Sequence, residues 1–110
     1  MTQQTKSPPS STYSTELSRM RRQLQAQMPG LEQNYHVKSL GLFGSYVRRE
    51  QTSQSDLDVL VEFDEPPSLF EFLRLEGYLS DLLGVKVDLV MKDGLKPAIG
   101  RRILREVVPV

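Results

Sequence analysis

The stretch LFGSYVRREQTSQSDLDVLVEF, residues 42–63, contains two apolar runs separated by a glycine turn and a polar loop. An apolar run ends at Gly44-Ser45, and a polar loop then leads into a second apolar run that opens with Asp56 and Asp58. Side chains two positions apart on a strand point to the same face of a sheet. The stretch therefore predicts a strand, a turn with a short helix, and a second strand that carries two carboxylates on one face.

The carboxylates predict a bound cation. Asp56 and Asp58 repel each other unless a cation neutralises the pair, and carboxylate oxygens suit magnesium or manganese. Magnesium usually completes its shell with water and substrate phosphates, so the pair indicates a phosphate-bearing substrate. A third aspartate, Asp88, lies inside the apolar pattern VKVDLVM, where β propensity disfavours it. Three carboxylates on neighbouring strands would fit a two-metal site for phosphoryl transfer.

The glycine turn is the second candidate element. A helix that starts after Gly44 presents unpaired N–H groups to an anion, and the Ser45 hydroxyl is a further donor. Arg48 and Arg49 follow within one turn and either bind phosphates or face solvent. Each signal is weak alone, because Gly-Ser pairs after strands are common and Asp at a strand start is often a turn signal. Their combination indicates phosphate chemistry.

The order of the predicted elements indicates an α/β (α+β) fold. Residues 1–14 are rich in Ser, Thr, Gln and Pro and are expected to form a flexible tail, while residues 15–110 form one domain. Helical spacing predicts a first helix that stops at the Pro-Gly pair 29–30, and a last helix over 97–106. The order helix, strand, short helix, strand, helix, strand, helix predicts a small mixed sheet covered by helices on one face.

The long central helix has clear start and stop signals. Ser68 and Glu71 form a capping box at its start, and Gly84 ends it. Its predicted apolar stripe consists of Leu69, Phe72, Leu73, Leu79 and Leu83. Phe70 and Leu75 fall off this stripe, so they are candidates for contact with another protein.

Composition argues against several classes of site. The 14 basic and 14 acidic residues cancel, so no direct nucleic-acid binding is expected from net charge. The chain has no cysteine and a single histidine, which argues against thiolate and multi-histidine zinc sites. It also lacks a signal-peptide core and a run of about 18 apolar residues, so a cytoplasmic protein without membrane contact is expected.

The motif residues resemble a known family. GSYVRREQTSQSDLDVLVEF resembles the Gly-Ser-x10-Asp-x-Asp signature of the minimal nucleotidyltransferases of the DNA polymerase β-like superfamily. VKVDLVM is similar to the third acidic strand of that family, and GLKPAIGRRILREVVPV to its closing helix, so the resemblance covers residues 35–110. It implies the nucleotidyltransferase fold. It also implies that Asp56, Asp58 and Asp88 hold two Mg²⁺ ions, that Asp88 helps deprotonate the acceptor hydroxyl, and that Gly44, Ser45 and Arg48 bind the nucleotide.

The same resemblance implies a partner and a reaction. Minimal nucleotidyltransferases of this length resemble the antitoxins of HEPN/MNT toxin–antitoxin modules, which transfer AMP from ATP to a tyrosine of a HEPN-domain RNase toxin. A hetero-oligomer with such a toxin is therefore expected. Two alternatives remain open at this point: an antitoxin that only masks the toxin, and a nucleotidyltransferase that modifies a small-molecule hydroxyl after oligomerising.

One position departs from the family pattern. The family commonly reads Ala-Arg-Gly after Gly-Ser-x, whereas this chain reads Val47-Arg48-Arg49. Arg48 keeps its place, and Arg49 stands where the family has glycine. If that position requires a positive φ, the arginine is strained or the turn is reshaped.

Overall fold

A four-stranded mixed sheet with its strands in the order β3-β2-β1-β4 organises the chain. The computed structural model describes residues 15–110, and the predicted tail lies outside them. The helices are α1 (Thr15–Tyr35), α2 (Ser45–Arg48), α3 (Leu69–Leu83) and α4 (Pro97–Glu106), with a 3-10 turn at Lys92–Gly94. The strands are β1 (Val37–Phe43), β2 (Leu57–Phe63), β3 (Val87–Met91) and β4 (Val108–Pro109).

Strand pairing determines which residues lie side by side on each face. β1 runs antiparallel to β2 and to β4, whereas β2 runs parallel to β3 and is joined to it through α3. Phe43 pairs with Asp58, and Asp58 pairs with Asp88. Three side chains on three adjacent strands therefore form one row on the same face of the sheet.

The other face of the sheet forms the hydrophobic core. Leu57, Val59 and Val61 of β2 are buried there, as the alternating pattern predicts. α1 packs against β1, α3 packs against β3, and the two helices contact each other. The predicted cover of helices on one face is confirmed for α1 and α3, whereas α4 lies beside the other face, where it lines a cleft with Phe43 and Asp58. No helix within residues 15–110 combines the length and apolarity that crossing a membrane requires.

The predicted end of the first helix at the Pro-Gly pair is wrong. The helix continues to Tyr35, with Pro29 in its interior. An interior proline costs a helix about 3 kcal/mol. Contacts beyond it offset this cost, because Leu31 is buried and the Tyr35 ring stacks on Tyr78 of α3 at 6.2 Å. Burying a leucine side chain contributes about 1.5–3 kcal/mol. Tertiary packing therefore overrides the local stop signal.

The central helix is confirmed, including its capping box, but its buried stripe is rotated from the prediction. Leu75 is fully buried with Leu79 and Leu83, so its expected contact with another protein is wrong. Leu69 and Leu73 are instead mostly exposed. The rotation follows from the packing of α3 against both β3 and α1, which centres the buried arc on Leu79.

Strand β4 is absent from the prediction. Its two residues are too few to show a period, and Pro109 disfavours a strand assignment. They pair with Gly41 and Leu42 at the free edge of β1, and the Arg21 side chain of α1 donates a hydrogen bond to the Pro109 carbonyl at 2.7 Å. A proline is tolerated there because β4 is an edge strand.

Arg49 adopts the backbone conformation that its family position suggests. Its φ is +62°, in the left-handed region, where it ends α2. The turn is closed by a hydrogen bond from the Glu50 N–H to the Ser45 carbonyl at 2.8 Å. The turn therefore closes with Arg49 in the left-handed region, and the arginine bears a conformational cost of about 1–2 kcal/mol.

We predict that Arg49→Gly raises the free energy of unfolding by about 1 kcal/mol, because glycine adopts this φ without steric cost but gains freedom in the unfolded chain. Chemical denaturation measures the change. Arg49→Ala is the matched control, since it removes the same charge but retains the Cβ that causes the strain. An equal gain in both variants would assign the effect to charge instead of backbone conformation.

Candidate active site

The candidate site lies on the sheet face opposite the core, at the ends of β1 and β2. Asp58 is partly buried in the middle of the row, between Phe43 on β1 and the exposed Asp88 on β3. Asp56 precedes β2 by one residue and is partly buried. The structure thus places the three predicted carboxylates at one end of the sheet.

Gly44 packs its backbone directly against the Asp58 carboxylate. A Cβ placed on Gly44 would overlap the Oδ2 of Asp58 and lie 2.9 Å from its Cγ. The residue also has a φ of +83°, which L side chains rarely adopt. Glycine is therefore required on two independent grounds, and its absent side chain lets the turn approach the carboxylate.

The carboxylates interact unfavourably with one another. Burial, followed by the neighbouring charges of Asp88 and Asp56, raises the pKa of Asp58 from 3.8 to about 6, although Arg48 opposes the shift. The ionised form of Asp58 is thus destabilised by its surroundings. Such a group gains most from a cation.

The residue types at the site suit a hard divalent cation. Three carboxylates supply oxygen ligands of the kind that Mg²⁺ prefers. Arg48 offsets only part of the unfavourable environment of the ionised Asp58 carboxylate. In the side-chain conformations of residues 15–110, no three His, Cys, Asp or Glu side chains are grouped closely enough to hold a metal ion. Side-chain rotation of the aspartates would be needed to bring their oxygens onto one centre.

The predicted nucleotide contacts surround the Gly44 turn. The Ser45 hydroxyl is partly buried and forms no hydrogen bond within the described part of the chain, so it is available to a ligand. α2 has only four residues, so its dipole is small and individual N–H groups supply the donors. Arg48 is neither free nor simply solvated, because its guanidinium pairs with Glu50 at 3.0 Å and with Glu106.

Glu106 is a site residue that the sequence analysis missed. Its Oε2 accepts a hydrogen bond of 2.7 Å from the Gly44 N–H, and the Arg48 Nη1 donates to both of its oxygens at 3.0 Å. It stands at the end of α4, 62 residues along the chain from Gly44. No local pattern marks it, and only the docking of α4 beside the turn brings it there.

A cleft of about 320 Å³ opens between the Gly44 turn and α4. Its lining combines an acidic wall, cationic side chains and apolar surface, which suits a ligand with both phosphate and ring portions. The lining residues are Phe43, Gly44, Arg48, Asp58, Ile99, Arg102, Ile103 and Glu106. The arrangement can bind a phosphorylated compound beside a cluster of carboxylates.

Comparisons with known proteins agree with this geometry. The family model described as the nucleotidyltransferase domain matches residues 24–110. The protein adenylyltransferase MntA of Thermococcus cleftensis is 52% identical over 87 residues, which cover 79% of this chain and 88% of that protein.

Solved structures show the same fold. A minimal nucleotidyltransferase structure superposes with a TM-score of 0.68 at 36% identity, covering 87% of this chain and 93% of the other. A complex of a tri-AMPylated Shewanella oneidensis HEPN toxin with an MNT antitoxin contains a chain that matches with a TM-score of 0.55 at 18% identity, covering 86% of this chain and 67% of that one. This second likeness concerns the fold alone. The motif, the fold and the identity together show that the chain belongs to the nucleotidyltransferase domain family and is a minimal nucleotidyltransferase of the MntA type.

Proposed function

We propose that this chain is the antitoxin of a toxin–antitoxin pair, and that it transfers AMP from ATP to a tyrosine of a HEPN-family RNase toxin in a Mg²⁺-dependent reaction. The observation that carries the proposal is the contact between the Gly44 turn and Asp58, which puts anion-binding donors beside a carboxylate cluster. Its MntA relative is named a protein adenylyltransferase, and the Shewanella complex joins an MNT antitoxin to an AMPylated HEPN toxin. Both names support AMP transfer to a protein, and the second supports a HEPN toxin as the partner.

The proposed roles follow from position and charge. Asp56, Asp58 and Asp88 would hold Mg²⁺, which when bound neutralises the carboxylates and the charge on the phosphates. The free Ser45 hydroxyl and the Gly44 N–H would bind phosphate oxygens. These groups orient the nucleotide with its α-phosphate towards the carboxylates.

The proposed transfer step uses Asp88 as the proton acceptor. The acceptor hydroxyl forms a bond to the α-phosphorus of ATP while the bond from that phosphorus to the bridging oxygen breaks. Pyrophosphate leaves, and the hydroxyl proton passes to the Asp88 carboxylate. Asp88 is exposed on β3, so a tyrosine of a partner protein can reach it. A hetero-oligomer in the cytoplasm, where ATP is available, is the proposed setting.

We predict that Asp56→Asn combined with Asp58→Asn lowers AMP transfer by about 100-fold or more, because the site loses the charge that holds the phosphates and cation. The measurement is the mass of a cognate HEPN toxin after incubation with the protein, ATP and Mg²⁺. Asp81→Asn is the matched control, since Asp81 is exposed on α3 and away from the row.

Neutralisation of the toxin separates catalysis from masking. The double variant should fail to block the RNase activity of the toxin, whereas Asp81→Asn should block it. If the double variant blocks the RNase as well as the unaltered protein does, without adding AMP, the antitoxin works by masking and the proposed reaction is wrong.

A pH-dependent stability effect is predicted for Asp58. Its pKa is about 6 in the folded protein against 3.8 ordinarily, so the folded state retains a proton that the unfolded state has lost between these values. Stability contributed by this group therefore falls as pH rises from about 4 to 6, and the penalty is complete above that range. Without Mg²⁺, Asp58→Asn should melt at a higher temperature than the unaltered protein at pH 7.5.

Thermal melts between pH 4 and pH 8 in the presence of a chelator check this prediction. The gap between Asp58→Asn and the unaltered protein should shrink strongly towards pH 4, because Asp58 is then protonated in the folded state and partly protonated in the unfolded state. Asp81→Asn should show no such closing gap. A gap of the same size at pH 4 and pH 7.5 would rule out charge repulsion at Asp58 as the cause.

A further inference from the structure

The Glu106 carboxylate occupies donors that the proposed function assigns to the nucleotide. Its Oε2 receives the Gly44 N–H at 2.7 Å, and both oxygens receive the Arg48 guanidinium at 3.0 Å. The Glu106 side chain is 27% exposed, so these bonds are partly shielded from water. An anion already sits where the phosphates are expected.

A carboxylate and a phosphate group make the same kind of contact with such donors. Each presents two or more anionic oxygens to an N–H group and a guanidinium. Two anions cannot share these donors without strong repulsion in a partly shielded cleft. We infer that Glu106 is an internal competitor that the nucleotide phosphates displace from Gly44 and Arg48, and that it thereby determines how tightly the nucleotide binds. This inference rests on the proposed function.

The position of Glu106 in its helix makes it ready to move. It is the last residue of α4, where the partial negative charge of the helix end disfavours a carboxylate. The contacts with Gly44 and Arg48 offset that disadvantage. Once a phosphate takes these donors, little in α4 itself holds the side chain in place.

A second arginine side chain lies near the Glu106 carboxylate and could pair with it after displacement. Arg102 precedes Glu106 by four residues on α4 and lines the same cleft. Its guanidinium forms no ion pair or hydrogen bond within residues 15–110. Residues four apart are neighbours on a helix surface, so Glu106 can pair with Arg102 when it leaves Arg48.

A purely structural role for Glu106 predicts the opposite change in nucleotide affinity. If Glu106 only braces the turn in its binding shape, removing its charge loosens Gly44 and Arg48 and weakens nucleotide binding. If it competes, removing the charge strengthens binding. Affinity for the nucleotide alone, without the acceptor protein, therefore separates the two roles.

The test is calorimetric titration of the protein with the α,β-methylene analogue of ATP and Mg²⁺. We expect Glu106→Gln to bind about threefold to tenfold more tightly than the unaltered protein, because a neutral amide competes less well than a carboxylate. Glu50→Gln is the matched control. Glu50 pairs with the same guanidinium but does not contact the Gly44 N–H, so its removal should change the affinity less than twofold.

Glu106→Ala is the second variant, and melting curves show whether each variant is folded. Tighter binding by either folded Glu106 variant, with no comparable gain in Glu50→Gln, supports the inference that Glu106 competes with the nucleotide phosphates. Unchanged or weaker binding by both Glu106 variants overturns it and leaves the proposed function standing. If the unaltered protein and all variants fail to bind the analogue, the nucleotide site itself is wrong, and the inference is wrong with it.

Discussion

The close approach of the Gly44 backbone to the Asp58 carboxylate is the contact on which the site depends. It requires a residue without a side chain and with a positive φ at the end of β1. It also depends on the pairing of Phe43 with Asp58, since a register shift of one residue would turn the carboxylates into the core. The antiparallel register of β1 and β2 is therefore a functional constraint as well as a structural one.

Several unfavourable features gather around this contact. Asp58 is partly buried beside other carboxylates, and Arg49 has a left-handed backbone conformation. Glu106 places a negative charge at the C-terminal end of a helix, which is itself partly negative. Costs of this kind cluster at functional sites and persist only where the rest of the fold compensates. Here a cation and a phosphorylated ligand would relieve the electrostatic part of the cost, so binding and local stability are coupled.

The compensation comes from the opposite face of the sheet. α1 and α3 bury the alternating apolar residues of β1, β2 and β3, so the chemistry and the stability occupy different faces. The free edge of β3 is also covered, because Ser80 Oγ accepts the Val87 N–H at 3.0 Å and Glu76 Oε2 accepts the Leu89 N–H at 2.9 Å. Side chains of α3 thus satisfy an edge that would otherwise invite another strand.

The features that depend on local spacing can be predicted from the sequence. The period of two in β2, the capping box of α3 and the ten residues between Ser45 and Asp56 all act between near neighbours, so they could be predicted with the carboxylate cluster. Other features depend on tertiary structure. These are the continuation of α1 beyond Pro29, the burial of Leu75, the pairing of β4 with β1 and the hydrogen bond between Glu106 and Gly44. Each of these results from contacts between distant segments, whose packing energy outweighs local preference and leaves no periodic mark in the chain.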